Sequence, residues 1–210
     1  MLRELMGPMG NPVYHDYAQV VFDSATHLLG VVEDLLNVSC TDFGQHALDI
    51  EDIDADEFLR EVVRMPSHLA RERNLVLDHS VAEPGLSLGA DRRGLRQVLL
   101  NLISNAIKFS PAGSLIEVTC RRADAGHVEL SVRDMGSGID PENIPHVFKP
   151  FRSMDPMVAR ETGGVGLGLW ISKRIVEAHG GTISIDSAPG AGTTVTVSLP
   201  DRENHASLGK

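Results

Sequence analysis

Residues 101–110 read Asn-Leu-Ile-Ser-Asn-Ala-Ile-Lys-Phe-Ser, the end of a segment that opens at Asp91 and carries Leu95, Val98, Leu99, Leu102, Ile103, Ala106 and Ile107. Apolar residues recurring every three and four positions line one face of an α-helix, so the spacing predicts a long helix over 91–109. Asn101 and Asn105 are four apart and share a face, with Lys108 a turn further on. Two readings of this polar stripe stand side by side. It is a hydrogen-bonded or solvated stripe, or an amide oxygen holds Mg²⁺ while the ammonium meets triphosphate oxygens. Mg²⁺ takes hard oxygen ligands and keeps several waters, so one protein amide plus phosphates suffices.

Outward from this helix, Leu115–Arg121 and Val128–Arg133 alternate apolar and polar residues and read as strands. The second runs into Asp134-Met-Gly-Ser-Gly-Ile139. Glycines after an acid at a strand end let a flat ligand approach the backbone, and a carboxylate there can accept from an exocyclic amine; an ordinary Asx turn is the plainer alternative. Gly163-Gly-Val-Gly-Leu-Gly-Leu169 opens a helix expected over 166–179, where free amides suit phosphate. It lacks the preceding strand of a dinucleotide fingerprint and the Gly-Lys-Ser/Thr ending of a P-loop. Between these motifs, 140–162 holds four prolines, Phe148 and Phe151, and reads as a lid whose phenylalanines also anchor it to the core. Lys149, Arg152 and Arg160 read as surface charges within reach of phosphates.

On the N-terminal side, Ala47–Ile53 reads as an edge strand, and Asp54 or Asp56 caps a helix running to about Asn74 that Pro66 kinks or restarts. Leu75–Leu77 and Leu86–Leu88 are short strands. A hairpin of 182–187 and 193–199 around Pro189-Gly-Ala-Gly192 closes the domain. The whole is expected to be α+β, one mixed sheet covered by helices on one face, over 41–201, with a disordered tail at 202–210. A bundle-forming helix over 17–38, with Ala18, Val21, Ala25, Leu28, Val32 and Leu35 in heptad spacing, precedes it and needs partners to cover its broad apolar stripe.

A net charge of −10 argues against nucleic acid as partner. The two cysteines, Cys40 and Cys120, have no metal spacing and fit a reduced, cytosolic setting better than a disulfide. No apolar run approaches membrane-spanning length, which leaves open an anchor elsewhere in a longer protein.

In order and spacing, the segments 101–110, 134–139, Phe148-Lys-Pro-Phe151, 163–169 and Gly190-Ala-Gly-Thr-Thr194 resemble the N, G1, F, G2 and G3 boxes of sensor histidine kinases, loosely those of alphaproteobacterial developmental kinases. The resemblance implies the ATPase fold shared with gyrase and the ATP-dependent chaperones, and ATP with Mg²⁺ as ligands. It implies that Asn105 holds Mg²⁺, that Asn101 lies close to the phosphates and Lys108 on them, and that Asp134 binds the adenine amine in a pocket shaped by Gly136 and Gly138. Phe109 and Ile139 join that pocket. Gly164, Gly166, Leu167 and Gly168 form the lid end and phosphate contact, and Thr193, or Thr194 in its place, supports the adenine from the sheet.

The ending Asp34-Leu-Leu-Asn-Val-Ser39 is similar to the second helix of a dimerisation and phosphotransfer domain, so residues 1–40 are expected to be part of one, pairing with a second kinase protomer. The acceptor-bearing helix is expected to be missing from this chain. His15-Asp16 imitates the acceptor motif but lacks the downstream proline and stands too close to Asp34 for a two-helix hairpin; His27 reads as a bundle-surface residue. The implied activity is transfer of the ATP γ-phosphate to a histidine, then to a response-regulator receiver domain, with no autophosphorylation by this chain alone. A degenerate kinase acting as a nucleotide-regulated binding module, and a chaperone- or gyrase-type ATPase, are the alternatives.

Overall fold

The computed structural model describes Tyr17 and residues 48–123, 126–151 and 166–201. The expected N-terminal helix apart from Tyr17, His15, His27, Cys40, Arg152, Arg160, Gly163–Val165 and the 202–210 tail lie outside the described residues.

Strand β1 (Ile50–Asp54) feeds helix α1 (Ala55–Arg64) through Asp54, whose side chain accepts the Glu57 amide at 2.8 Å. That cap, with Asp56 and Glu57 in the first turn, matches the positive end of the helix dipole. Phe58, Leu59, Val62 and Val63 turn inward. Pro66 cannot donate to the ladder, and the chain restarts as α2 (Ser67–Glu72) in place of one helix to Asn74. Asn74 then adopts a left-handed φ of 54°, which Asn tolerates, and the chain enters β2 (Val76–Val81).

Helix α3 (Arg92–Phe109) follows β3 (Ser87–Asp91), and Asp91 caps it by accepting the Gly94 amide at 2.9 Å. Strands β4 (Leu115–Ala123) and β5 (His127–Asp134) form a hairpin; a 3₁₀ turn (Ile144–His146) follows; α4 (Gly168–Ala178) leads into β6 (Thr182–Ser187) and β7 (Thr193–Pro200). The main sheet has the order β2-β4-β5-β7-β6, parallel only between β2 and β4. The segment expected as an edge strand differs in one respect: β1 pairs antiparallel with β3 in a separate two-stranded ribbon, Ile50 opposite Asp91 and Asp54 opposite Ser87. Its single inward residue, Ile53, is fully buried, which suits a ribbon packed by one side chain at the rim of the core.

The period of two puts Ile116, Val118 and Cys120 of β4, Val128, Leu130 and Val132 of β5, and Val195, Val197 and Leu199 of β7 on the helix side. Against them lie Leu95, Leu99, Leu102, Ile103 and Ile107 of α3 and Ile171, Ile175 and Val176 of α4. Each such fully buried side chain contributes about 1.5–3 kcal/mol. The other face is polar, and the Thr119 and Ser131 hydroxyls hydrogen-bond across it at 2.7 Å. Cys120 is a free, buried thiol pushed up to about 12 by desolvation, so it is inert at neutral pH.

Buried His179 ties α4 to α3. Its Nε2 accepts the Asp91 amide at 3.0 Å, so the ring proton sits on Nδ1 and is donated to the Ile175 carbonyl at 2.7 Å.

Candidate nucleotide site

Asp134 is the last residue of β5 and stands opposite Thr193, the first of β7. Its Oδ1 accepts two backbone amides, Gly136 at 2.8 Å and Thr193 at 3.2 Å. Oδ2 has no protein donor among the described residues. Burial pushes this carboxyl above its ordinary range, and the two amides pull it partly back.

Gly136 is buried against the end of α3. A Cβ there would stand 2.7 Å from the Phe109 carbonyl oxygen and 2.8 Å from Asp134 Oδ1, so only glycine lets the loop lie this flat. At Gly138 the backbone takes φ +70°, and a Cβ would collide with the Ala188 carbonyl. The loop is therefore stitched to the β6–β7 turn: Gly190 donates to Ser137 at 2.7 Å, and the Ile139 amide donates to Ser187 Oγ at 2.9 Å. Ser187 gives its own proton to the Gly192 carbonyl at 2.9 Å, so the Thr193 hydroxyl, also at 2.9 Å, donates to Ser187. Thr194 opposes Arg133 and Asp186 on the other face of the sheet, which separates the two threonines that the sequence left interchangeable.

Along α3, Asn101, Asn105, Lys108 and Phe109 follow one another down one face. Asn101 is half-buried and donates from Nδ2 to the Gly168 carbonyl at 3.2 Å and to Ser172 Oγ at 3.4 Å. Asn105 is half-buried and its amide makes no hydrogen bond among the described residues. Lys108 has no ion-pair partner among them; its pKa is held below the ordinary value, first by burial and then by the charge of Arg73. Its Nζ lies 5.4 Å from the Phe109 ring centroid, and Phe109 is 42% exposed. Arg73 donates to the carbonyls of Ile107 and Lys108 at 3.5 and 3.4 Å, closing the C-terminus of α3.

Gly166 precedes α4, and buried Leu167 occupies its N-cap position without any side-chain cap, so the first-turn amides of α4 are left to a ligand or to water. Gly164 lies outside the described residues. Of the two phenylalanines expected to anchor the lid, only Phe148 is half-buried, with Lys173 Nζ 5.6 Å from its ring centroid. Phe151 is 64% exposed at φ +59°, and Val147, 6% exposed, takes the anchoring place, because the chain turns the Phe151 ring away from the core. Sequence reasoning did not single out Ser187, Ser172 or His179. The one local signal was Ser172, a small polar residue four positions after Gly168 on an apolar helix face.

No group of His, Cys, Asp and Glu among the described residues could hold a metal by itself. A cation brought in by phosphates needs fewer protein ligands, and the Asn105 amide, which has no hydrogen-bond partner among the described residues, is an oxygen of the kind such a cation takes. No helix of the described residues is long and apolar enough to cross a membrane.

Sheet, helix layer and glycine cradle together define the class, an α+β domain of the nucleotide-binding kind. The profile of the family described as histidine kinase-, DNA gyrase B-, and HSP90-like ATPase matches residues 90–203, more than half of the chain. The chain is 37% identical over 208 residues to the non-motile and phage-resistance protein of Caulobacter vibrioides, covering 97% of this chain and 24% of that protein. It is 36% identical to the histidine protein kinase DivJ of the same organism, covering 95% of this chain and 33% of that one. Full-length ShkA, solved in complex with AMPPNP, superposes with a TM-score of 0.77 at 30% identity, over 92% of this chain and 40% of that chain. The chain therefore belongs to this ATPase family, as the ATP-binding catalytic region of a sensor histidine kinase of alphaproteobacterial type. It spans about a quarter of the first of these relatives and a third of DivJ.

Proposed function

We propose that this chain binds ATP with Mg²⁺ in the cleft between α3, the 134–139 loop and the N-terminus of α4, and directs the γ-phosphate to a histidine imidazole. The observation that carries this reading is the fixed carboxylate: Asp134 Oδ1 is held by two backbone amides, so Oδ2 remains to accept from the adenine amine. Gly136, Gly138, Ile139, Phe109 and Thr193 shape the purine pocket, while Lys108 and the first-turn amides at Gly168 meet phosphate oxygens. Asn105 supplies the protein oxygen to the cation. When bound, Mg²⁺ neutralises charge on the phosphates during transfer.

The acceptor imidazole attacks the γ-phosphorus, the bond to the β-phosphate oxygen breaks, and ADP leaves. The domain's contribution is positioning and charge stabilisation, so it works on an acceptor presented from a dimerisation domain. In this proposal residues 1–40 belong to that domain and pair with a second protomer, residues 41–201 form the catalytic domain, His15 is not the acceptor, and the phosphate passes onward to a response-regulator receiver domain. ATP and a receiver domain are reactants of the cytoplasm, which supports a cytoplasmic setting for the domain.

The test is incubation of the chain with γ-labelled ATP, Mg²⁺ and a separate dimerisation domain carrying its histidine. Acid-labile label on the added domain is expected. Nucleotide binding without transfer would favour the degenerate binding module, and rapid hydrolysis with no acceptor present would favour the chaperone-type ATPase.

A further inference from the structure

The strand register sets Asp134, Thr193 and Ser187 in one row across the ends of β5, β7 and β6, with Thr193 in the middle. Residues paired in this way share a face of the sheet, and two positions inward the same row reads Val132, Val195 and Ile185, which pack under the helices. Ser187 therefore stands on the cleft side, one strand beyond the two residues that already line the purine pocket.

Its hydroxyl is fully engaged. The Ile139 amide, 2.9 Å away, can only donate, and the Gly192 carbonyl, also 2.9 Å away, can only accept. A hydroxyl has one proton and two lone pairs, so Ser187 gives its proton to Gly192 and keeps one lone pair for the Thr193 hydroxyl at 2.9 Å. The Thr193 proton is thereby turned away from Asp134, its neighbour on the other side of the row. Cross-strand neighbours have Cβ atoms about 4.5–5.5 Å apart, so a χ1 rotation of Thr193 is enough to bring its hydroxyl to the carboxylate. Oδ2 of Asp134 has no protein donor among the described residues, and a bond to a carboxylate is stronger than one to a neutral oxygen. Without Ser187, the Thr193 proton has Asp134 as its best acceptor.

We propose that Ser187 is a specificity-determining positioning residue, which draws the Thr193 hydroxyl proton to itself and so reserves the open carboxylate oxygen of Asp134 for the 6-amino group of the purine. This rests on the reading of Asp134 as the group that meets that amine, and it adds the residue that keeps the acceptor open. Ser187 touches no nucleotide; it acts through Thr193.

The experiment is calorimetric titration of the 210-residue chain, in Mg²⁺, with ATP and with purine riboside 5′-triphosphate, which carries hydrogen in place of the 6-amino group. Wild type, Ser187→Ala, Ser187→Cys and Ser187→Thr are compared. Ser187→Cys holds the volume with a poor hydrogen-bonding group and serves if Ser187→Ala does not fold. Wild type is expected to prefer ATP by about 10-fold, the size of one hydrogen bond to a charged group. In Ser187→Ala and Ser187→Cys that preference should fall to about twofold or less, through weaker ATP binding, while affinity for the analogue stays within about threefold of wild type. Ser187→Thr keeps the hydroxyl and should keep the preference. Equal losses for the two nucleotides would make Ser187 a structural support of the loop and overturn the proposal. So would an undiminished preference in the alanine and cysteine variants, or a Ser187→Thr variant that loses it as they do. A wild type that binds both nucleotides equally would instead remove the parent reading of Asp134.

Discussion

Asp134 and Thr193 face each other across the ends of β5 and β7, and the Thr193 amide donates to Asp134 Oδ1 at 3.2 Å. The two residues are 59 apart in sequence, so the carboxylate is held by the neighbouring strand as well as by the Gly136 amide of its own loop. An asparagine at 134 can still offer one oxygen to the amides of Gly136 and Thr193. Its NH₂ would then replace Oδ2 and oppose the adenine amine, donor against donor. Asp134→Asn should fold normally and lose ATP affinity by roughly 10- to 100-fold, the cost of leaving one buried polar pair unsatisfied. Calorimetry showing unchanged affinity would take Asp134 out of purine recognition.

The same carboxyl predicts a pH dependence. Its folded-state pKa is raised above the reference value of 3.8, chiefly by burial. For an acid shifted this way, the protonated form is the one the fold favours. Its stabilising contribution is complete below 3.8 and is lost as pH rises through the folded value. Asp134→Asn removes that loss. The melting temperature of Asp134→Asn relative to wild type should therefore climb between about pH 4 and pH 7. A difference that stays flat across this range would mean that the carboxyl is not desolvated.

Gly136 has no room for a side chain. A methyl group there meets the Phe109 carbonyl and the Asp134 carboxylate together. Gly136→Ala should cost about 1–3 kcal/mol in urea unfolding and should also remove ATP binding, because the loop must lift off the end of α3. A variant with wild-type stability and affinity would show that the loop can shift without consequence.

The Asn105 side-chain amide makes no hydrogen bond among the described residues, so truncating it breaks none of the bonds described. Asn105→Ala should change stability by less than about 0.5 kcal/mol. It should nevertheless abolish the Mg²⁺-dependent part of ATP binding. Normal Mg²⁺ dependence in calorimetry removes the assignment.

His179 joins the start of α3 to the end of α4 through two hydrogen bonds, and it is 2% exposed. His179→Ala leaves the Asp91 amide unpaired beside a cavity, while the Ile175 carbonyl keeps the backbone amide of residue 179 at 3.2 Å, at a cost of roughly 2–4 kcal/mol. A loss below about 0.5 kcal/mol, the range of ordinary surface changes, would show that water replaces the ring.

Much of this was legible in the chain. The limits of α3 follow from Asp91 as cap and from apolar residues every three or four positions. The alternation in β4, β5 and β7 tells which residues face the helices. Pro66 marks the break between α1 and α2, although its outcome, a restart and not a bend, is seen only in the fold. These are local signals, carried by residues a few positions apart, and local sterics and hydrogen bonding decide them.

The site was readable as motifs but not as contacts. Thr193 and Thr194 look equivalent until the β7 register places one beside Asp134 and the other on the open face. Phe151 resembles an anchor until its backbone turns it outward. The partnership of β1 with β3, Ser187 under the Ile139 amide, and the orientation of Asn101 all await the assembled fold.

By itself the sequence determined the helices, the strand faces, the ordered boxes and the glycines of the 134–139 loop, because periodicity, capping and chain flexibility act over a few residues. Only the tertiary structure decided which atoms meet. Asn101 and Ser172 are 71 residues apart, and Asp91 and His179 are 88 apart. Hydrogen bonds over such separations exist only once the core has packed, and it is those bonds that orient the Asn101 amide and fix the tautomer of His179.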